Sequence, residues 1–175
     1  MAARFPFPCI VILGLCAAAL PANAATRLEV QAARSYMDSY GSNAAFIEAV
    51  FAPRPLGRTR YTWSPDVSLG WINGRDLPRY DGSRYSTRAP VTLLAVGARV
   101  HRGQVGDWYH PLFMSFQVAA ANYTTQALSS HYQFVSTLGW QARHFSVAIR
   151  HISNGSLRDP NRGETMLAVG LAFDP

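Results

Sequence analysis

Residues 151–164, HISNGSLRDPNRGE, gather one histidine, two serines, two asparagines, two acids and two glycines into a single stretch. His151 and Ser153 stand at i and i+2. On an extended chain side chains alternate between faces, so these two project to the same side. An imidazole nitrogen there can take the proton from a serine hydroxyl as that oxygen attacks a carbonyl carbon, and water then resolves the acyl-serine. The same letters also read as an ordinary polar turn. Asn154 and Gly155 tolerate positive φ and Pro160 stiffens the return, and a bare His-x-Ser is common. Spacing alone leaves both readings open.

The pair must be carried by something rigid, and the residues before it provide a strand. Phe145, Val147 and Ile149 alternate with His144, Ser146 and Arg150, and His151 continues the apolar face. The same period of two runs through Leu112, Met114, Phe116 and Val118, through Tyr132, Phe134, Leu138 and Trp140, and through Leu167, Val169, Leu171 and Phe173. Such alternation is a strand signature. Further candidates are 27–38, 43–51, 59–72 and 90–101, separated by turn-rich segments such as NGRDLPRYDGS at 73–83. The total is about eight strands, and NAAFIEAVF at 43–51 reads equally as a short helix.

The N-terminal segment 1–24 combines one charge at Arg4, an apolar run from Cys9 to Leu20, and Ala22 and Ala24 flanking Asn23. That is the form of a cleaved secretory signal ending at Ala24. Cys16 after a leucine-rich run is the rival lipoprotein reading, but Leu15 stands where a small residue is expected. Both cysteines lie in this segment, so residues 25–175 are expected to carry no thiol, disulfide or thiolate metal site. The chain has a formal charge of +6, and its sixteen basic residues are all arginine. This charge reads either as coding bias with a basic surface or as attraction to an anionic partner, which in an exported protein means phosphorylated lipid rather than nucleic acid, and arginine usage alone does not separate the two. His101, His110, His131 and His144 lack metal-site spacing, and neither a metal nor another cofactor is implied.

No window after residue 25 holds the uninterrupted apolar run of a membrane helix. Two architectures accept eight alternating strands: a soluble sandwich or barrel, and an all-β, eight-stranded antiparallel transmembrane β-barrel with its apolar face toward lipid. Two features favour the second. Large apolar residues occupy one face of each run and small or polar ones the other. Trp63, Trp71, Trp108, Tyr109 and Trp140 also lie at or near strand ends, where interfacial aromatic girdles sit. His151 and Ser153 would then stand at the lipid–water boundary, where an ester between a polar head and an acyl chain lies.

The order H-x-S-N-G…P-N-x-G, carried by His151, Ser153, Asn154, Pro160, Asn161 and Gly163, resembles the PagL family of outer-membrane lipid A 3-O-deacylases. The sharp match covers about the last 25 positions, and the likeness of architecture covers residues 25–175. The resemblance implies a serine esterase acting on the 3-linked acyl chain of lipid A in the outer leaflet. On it, Ser153 is the nucleophile, His151 the general base, and Asn154 a supporting residue. The N–H groups of Gly155 and Ser156 with the Asn161 side chain form the oxyanion hole. Arg158 and Arg162, on the same loop, are candidates for lipid A phosphates, and a homodimer is compatible with such a barrel.

The acid departs from the family pattern. The family's glutamate falls on Thr165, one residue past Glu164. By parity Glu164 shares the small, inward face of Met166, Ala168 and Gly170. A β-bulge near Gly163 would rotate Glu164 outward and complete a Ser153–His151–Glu164 triad, and Glu164 is taken as the acid on that basis. Without the bulge, Asp159 substitutes, or the chain is a weak or lost esterase. The alternative to an enzyme is a structural or lipid-binding barrel that keeps the loop without a working acid.

Overall fold

The computed structural model describes residues 26–104 and 106–174; the signal segment expected at 1–24 lies outside them. The strands are β1 (Arg27–Met37), β2 (Tyr40–Val50), β3 (Arg54–Pro55), β4 (Tyr61–Ile72), β5 (Val91–Arg102), β6 (Leu112–Ala121), β7 (Tyr132–Gln141), β8 (Phe145–Ser153) and β9 (Glu164–Phe173). Two-residue β3 pairs only with the start of β4. The other eight form an antiparallel wall in the order β2-β1-β9-β8-β7-β6-β5-β4, and β2 pairing with β4 closes it. Closure leaves no free sheet edge, the condition for strands to cross lipid. The stretch 43–51 is strand rather than helix: Ala44, Phe46 and Glu48 are buried while Ala45 and Ile47 are exposed.

The alternation resolves into two surfaces. Outward stand Val30, Ile47, Leu69, Phe116, Leu138, Ile149, Leu167 and Leu171, each about half exposed or more. A continuous apolar wall of this extent is unsuited to water and suited to a bilayer. Of the aromatics expected at strand ends, Trp71 faces out near one rim. Trp63, Trp140 and the loop residues Trp108 and Tyr109 sit toward the other.

The lumen is filled in layers. Toward the rim where β1 begins and β9 ends, Glu29 and Glu48 accept from three arginines. Arg99 Nη1 reaches Glu29 Oε1 at 2.8 Å, Arg99 Nη2 reaches Glu48 Oε1 at 3.1 Å, Arg150 Nη2 reaches Glu48 Oε2 at 2.7 Å, and Arg27 Nε reaches Glu29 Oε1 at 2.6 Å. Gln31 Nε2 bridges both carboxylates. These pairings offset part of the cost of withdrawing charges from water, while Arg99 Nε, Arg150 Nη1 and Gln31 Oε1 have no hydrogen-bond partner among the described residues. Arg150 lies over the Phe46 ring and Arg99 over Phe113, at 4.4 and 4.1 Å from the centroids. Above them an apolar layer of Phe46, Ile72, Leu93, Val135, Ile152 and Met166 continues to the opposite rim. Loop residue Leu128 drops into this layer and is 1% exposed. Gly70 leaves the space that Phe46 fills, since a Cβ there would meet Phe46 Cε1 at 2.4 Å.

The rim where β1 ends and β9 begins carries the two-residue turn 38–39 and the loops 73–90, 122–131 and 154–163. Loop 73–90 contains the single-turn 3₁₀ segment Pro78–Tyr80 and packs Leu77 and Tyr80 against the apolar layer.

Candidate active site

His151 and Ser153 end β8 on its outward face, above Ile149, with Ile152 between them buried in the lumen. Across the wall His151 stands opposite Thr165 on β9 and Ser136 on β7, and Ser153 stands opposite Phe134. His151 Nδ1 lies 2.9 Å from Thr165 Oγ1. In the tautomer that donates Nδ1–H to this hydroxyl, Nε2 keeps its lone pair and can act as a base. The Ser153 hydroxyl has no hydrogen-bond partner among the described residues. It shares the face of His151 without being bonded to it.

Glu164, expected beside His151 as its acid, is not there. The β8–β9 register runs unbroken through Ile152↔Glu164 and His151↔Thr165, so there is no bulge to turn the carboxylate outward. Glu164 is 2% exposed inside the lumen. Its Oε1 and Oε2 accept from Arg75 Nη1 and Nη2 at 2.6 and 2.7 Å, and Oε2 accepts from the Ser35 hydroxyl at 2.5 Å. A bidentate guanidinium fork inside a barrel outweighs an exposed histidine as partner for a carboxylate. Asp159, the substitute, is exposed and has no hydrogen-bond partner among the described residues.

Gly163 sets the position of the imidazole. It has φ +73°, and a Cβ there would lie 2.8 Å from His151 Cε1 and 3.4 Å from Nε2. Its N–H donates to the Ala127 carbonyl at 2.9 Å. Only a glycine provides both this left-handed backbone and the room for the ring.

The residues expected to form the oxyanion hole follow directly. Gly155 and Ser156 both have positive φ, +64° and +62°, and Leu157 N–H closes the turn onto the Asn154 carbonyl at 3.3 Å. Neither the Gly155 nor the Ser156 amide donates to a partner among the described residues. Asn161 Oδ1 accepts from the Asn154 backbone N–H at 2.9 Å, which leaves its Nδ2 as a free donor.

Asn154 anchors this loop. Fully buried, it donates from Nδ2 to Ser129 Oγ at 2.9 Å and to the Arg158 carbonyl at 2.8 Å, and Ser129 Oγ itself donates to that carbonyl at 2.6 Å. The loop 154–163 is thus clamped to the loop 122–131. Of the two arginines expected to meet phosphate, Arg158 extends its guanidinium outward without a partner among the described residues. Arg162 Nη1 instead donates to Asp38 Oδ2 at 3.0 Å. Thr165, Ser129, Arg75 and Asp38 were not singled out as site residues from sequence. Only Thr165 carried a signal there, as the residue standing in the family's acid position.

The family of Lipid A 3-O-deacylase (PagL) matches residues 54–174. The fold is also similar to a solved structure described as "Crystal structure of the outer membrane enzyme PagL". The TM-score is 0.58 and the identity 16%, over 85% of this chain and 99% of that one. At that identity the likeness establishes a shared barrel. None of the curated proteins compared matches the chain. The family match spans most of the barrel and includes the whole of β8, the loop 154–163 and β9: the chain belongs to the PagL family of outer-membrane lipid A 3-O-deacylases.

Proposed function

We propose that this chain is a serine esterase that hydrolyses the 3-O-linked acyl ester of lipid A in the outer leaflet, with Ser153 as nucleophile and His151 as general base. The contact between His151 Nδ1 and Thr165 Oγ1 carries the reading. It orients the ring and admits the tautomer in which Nδ1–H donates to the threonine hydroxyl and Nε2 can accept the serine proton. Thr165 therefore does the orienting part of the acid's work and leaves the electrostatic part undone, because a neutral hydroxyl gives the imidazolium no charge to lean on. The Gly155 and Ser156 amides and Asn161 Nδ2 are the donors for the developing oxyanion. Collapse of the tetrahedral intermediate expels the sugar hydroxyl, protonated by His151, and water releases the fatty acid from Ser153.

The outer-leaflet assignment rests on loop asymmetry. The rim that bears His151 carries the loops 73–90, 122–131 and 154–163, of 18, ten and ten residues, against connections of ten, nine and three residues (51–60, 103–111 and 142–144) at the other, and outer-membrane barrels put their longer loops outside. Arg158, on the site loop and without a partner among the described residues, is assigned to a substrate phosphate.

A non-catalytic barrel is the second reading, and the missing carboxylate beside His151 is the observation that favours it. Mass spectrometry of lipid A from cells making the native chain or Ser153→Ala separates the two. Loss of one 3-linked acyl chain with the native protein alone supports the esterase. Unchanged lipid A in both, with the barrel folded in the membrane, supports the second reading.

A further inference from the structure

Asp38 sits in the two-residue turn between β1 and β2, just beyond Tyr36, the cross-strand neighbour of Thr165. Its Oδ2 is the meeting point of three donors from two other loops: Arg162 Nη1 at 3.0 Å, Arg79 Nη2 at 3.1 Å and the Tyr80 hydroxyl at 3.3 Å. Both guanidiniums are held from behind by aromatic faces. Arg79 lies 4.6 Å from the centroids of Tyr40 and Tyr80, and Arg162 lies 5.2 Å from that of Tyr80. Arg79 also donates to the Tyr80 hydroxyl and to that of Tyr40. The cluster is open to solvent, with the three charged side chains 37–48% exposed.

Two guanidiniums and a phenol converging on one oxygen make an anion site, and a single carboxylate leaves it one positive charge in excess. A phosphate monoester carries more charge and more acceptor oxygens than a carboxylate and suits two arginine forks better. We propose that Arg79, Arg162 and Tyr80 form a phosphate subsite for the substrate headgroup, and that Asp38 occupies it until the phosphate displaces the carboxylate. The placement agrees with this role. Arg162 precedes Gly163, the residue that leaves room for the His151 ring, so a phosphate held here lies on the same rim as the proposed ester-cleaving pair. The subsite rests on the proposed lipid A substrate and adds a residue set and a competitor that Arg158 alone does not provide.

The test reads binding rather than turnover, so it does not depend on Ser153 being the nucleophile. Full-length Ser153→Ala protein in detergent is titrated with lipid A carrying its phosphates and with the same lipid after dephosphorylation. Arg79→Gln and Arg162→Gln are each expected to weaken binding of the phosphorylated lipid about tenfold and to leave the dephosphorylated lipid unchanged. Asp38→Asn, which keeps the side-chain shape and removes the competing charge, is expected to tighten the phosphorylated lipid severalfold and only that lipid. Equal weakening of both lipids by the arginine variants would show that these residues merely hold the loops together and would overturn the subsite. Weaker binding of the phosphorylated lipid by Asp38→Asn would overturn the displacement. Arg79→Lys, which keeps the charge, guards against misfolding: it should retain more phosphate preference than Arg79→Gln, and equal loss in both counts against the subsite.

Discussion

His151 and Thr165 are direct cross-strand partners on the outward face of β8 and β9, with Nδ1 and Oγ1 2.9 Å apart. The position that touches the proposed base is therefore 165, and the residue there can orient the ring without charging it. Replacing Thr165 with glutamate should add the missing charge at the same backbone position. Loss of the orienting carboxylate costs a serine triad about ten-thousand-fold, so Thr165→Glu should raise kcat by roughly a hundredfold or more. Thr165→Val should lower it by freeing the ring. Release of free fatty acid from purified lipid A measures both, and a Thr165→Glu protein no faster than native would show that the charge is not what limits this site.

Glu164→Gln separates a structural acid from a catalytic one. The substitution leaves Arg75 buried with half its fork unpaired, and removing one partner of a buried pair costs about 3–5 kcal/mol. The midpoint of urea unfolding in lipid vesicles should fall, while the folded fraction should keep most of its kcat. Exchanging both partners, as Arg75→Met with Glu164→Met, should recover much of the stability. A ten-thousand-fold loss of kcat in folded Glu164→Gln would restore this residue to the triad.

Period two made much of this legible in the sequence, because a barrel wall repeats one physical demand at every second residue. The outward placement of His151 and Ser153 and the inward placement of Glu164 follow from that parity alone. The stretch 43–51 was ambiguous for a specific reason: Ala44 and Ala45 put the same small apolar residue on both faces, so alternation is blurred where β2 begins. What period two could not show is which loops meet. Arg75 reaches Glu164 across 89 residues and Arg162 reaches Asp38 across 124, and nothing periodic links the loops 73–90 and 154–163. The bulge inferred at Gly163 was a physical error of the same kind. That glycine answers to the imidazole beside it and to the Ala127 carbonyl, not to an extra residue in the strand.

Gly163→Ala should damage chemistry more than binding. The new methyl would stand 2.8 Å from His151 Cε1 on a backbone with φ +73°, so the ring must swing away or the strand start must shift. Because Nε2 is on the near edge of the ring, kcat should fall at least tenfold with KM little changed. Equal changes in the two constants would mean that the loop, rather than the imidazole, has moved.

Asn154 tests whether the loop that carries the proposed oxyanion donors is held or merely present. Its Nδ2 spans Ser129 and the Arg158 carbonyl, and its backbone N–H fixes Asn161 Oδ1. The side chain thus ties down the far end of the turn whose Gly155 and Ser156 amides donate to no partner among the described residues. Asn154→Ala deletes two buried donors and leaves the Arg158 carbonyl with Ser129 alone, a cost of about 1–3 kcal/mol. Since that carbonyl lies in the loop and not in the wall, the cost should appear as local opening. Amide exchange at 155–163 should accelerate by roughly tenfold or more while the strands keep their protection. The rate should drop with it, because donors that must be reordered at each turnover lose the advantage of being fixed beforehand. Faster exchange without a change in kcat would remove Gly155 and Ser156 from the oxyanion hole and leave Asn161 as its donor.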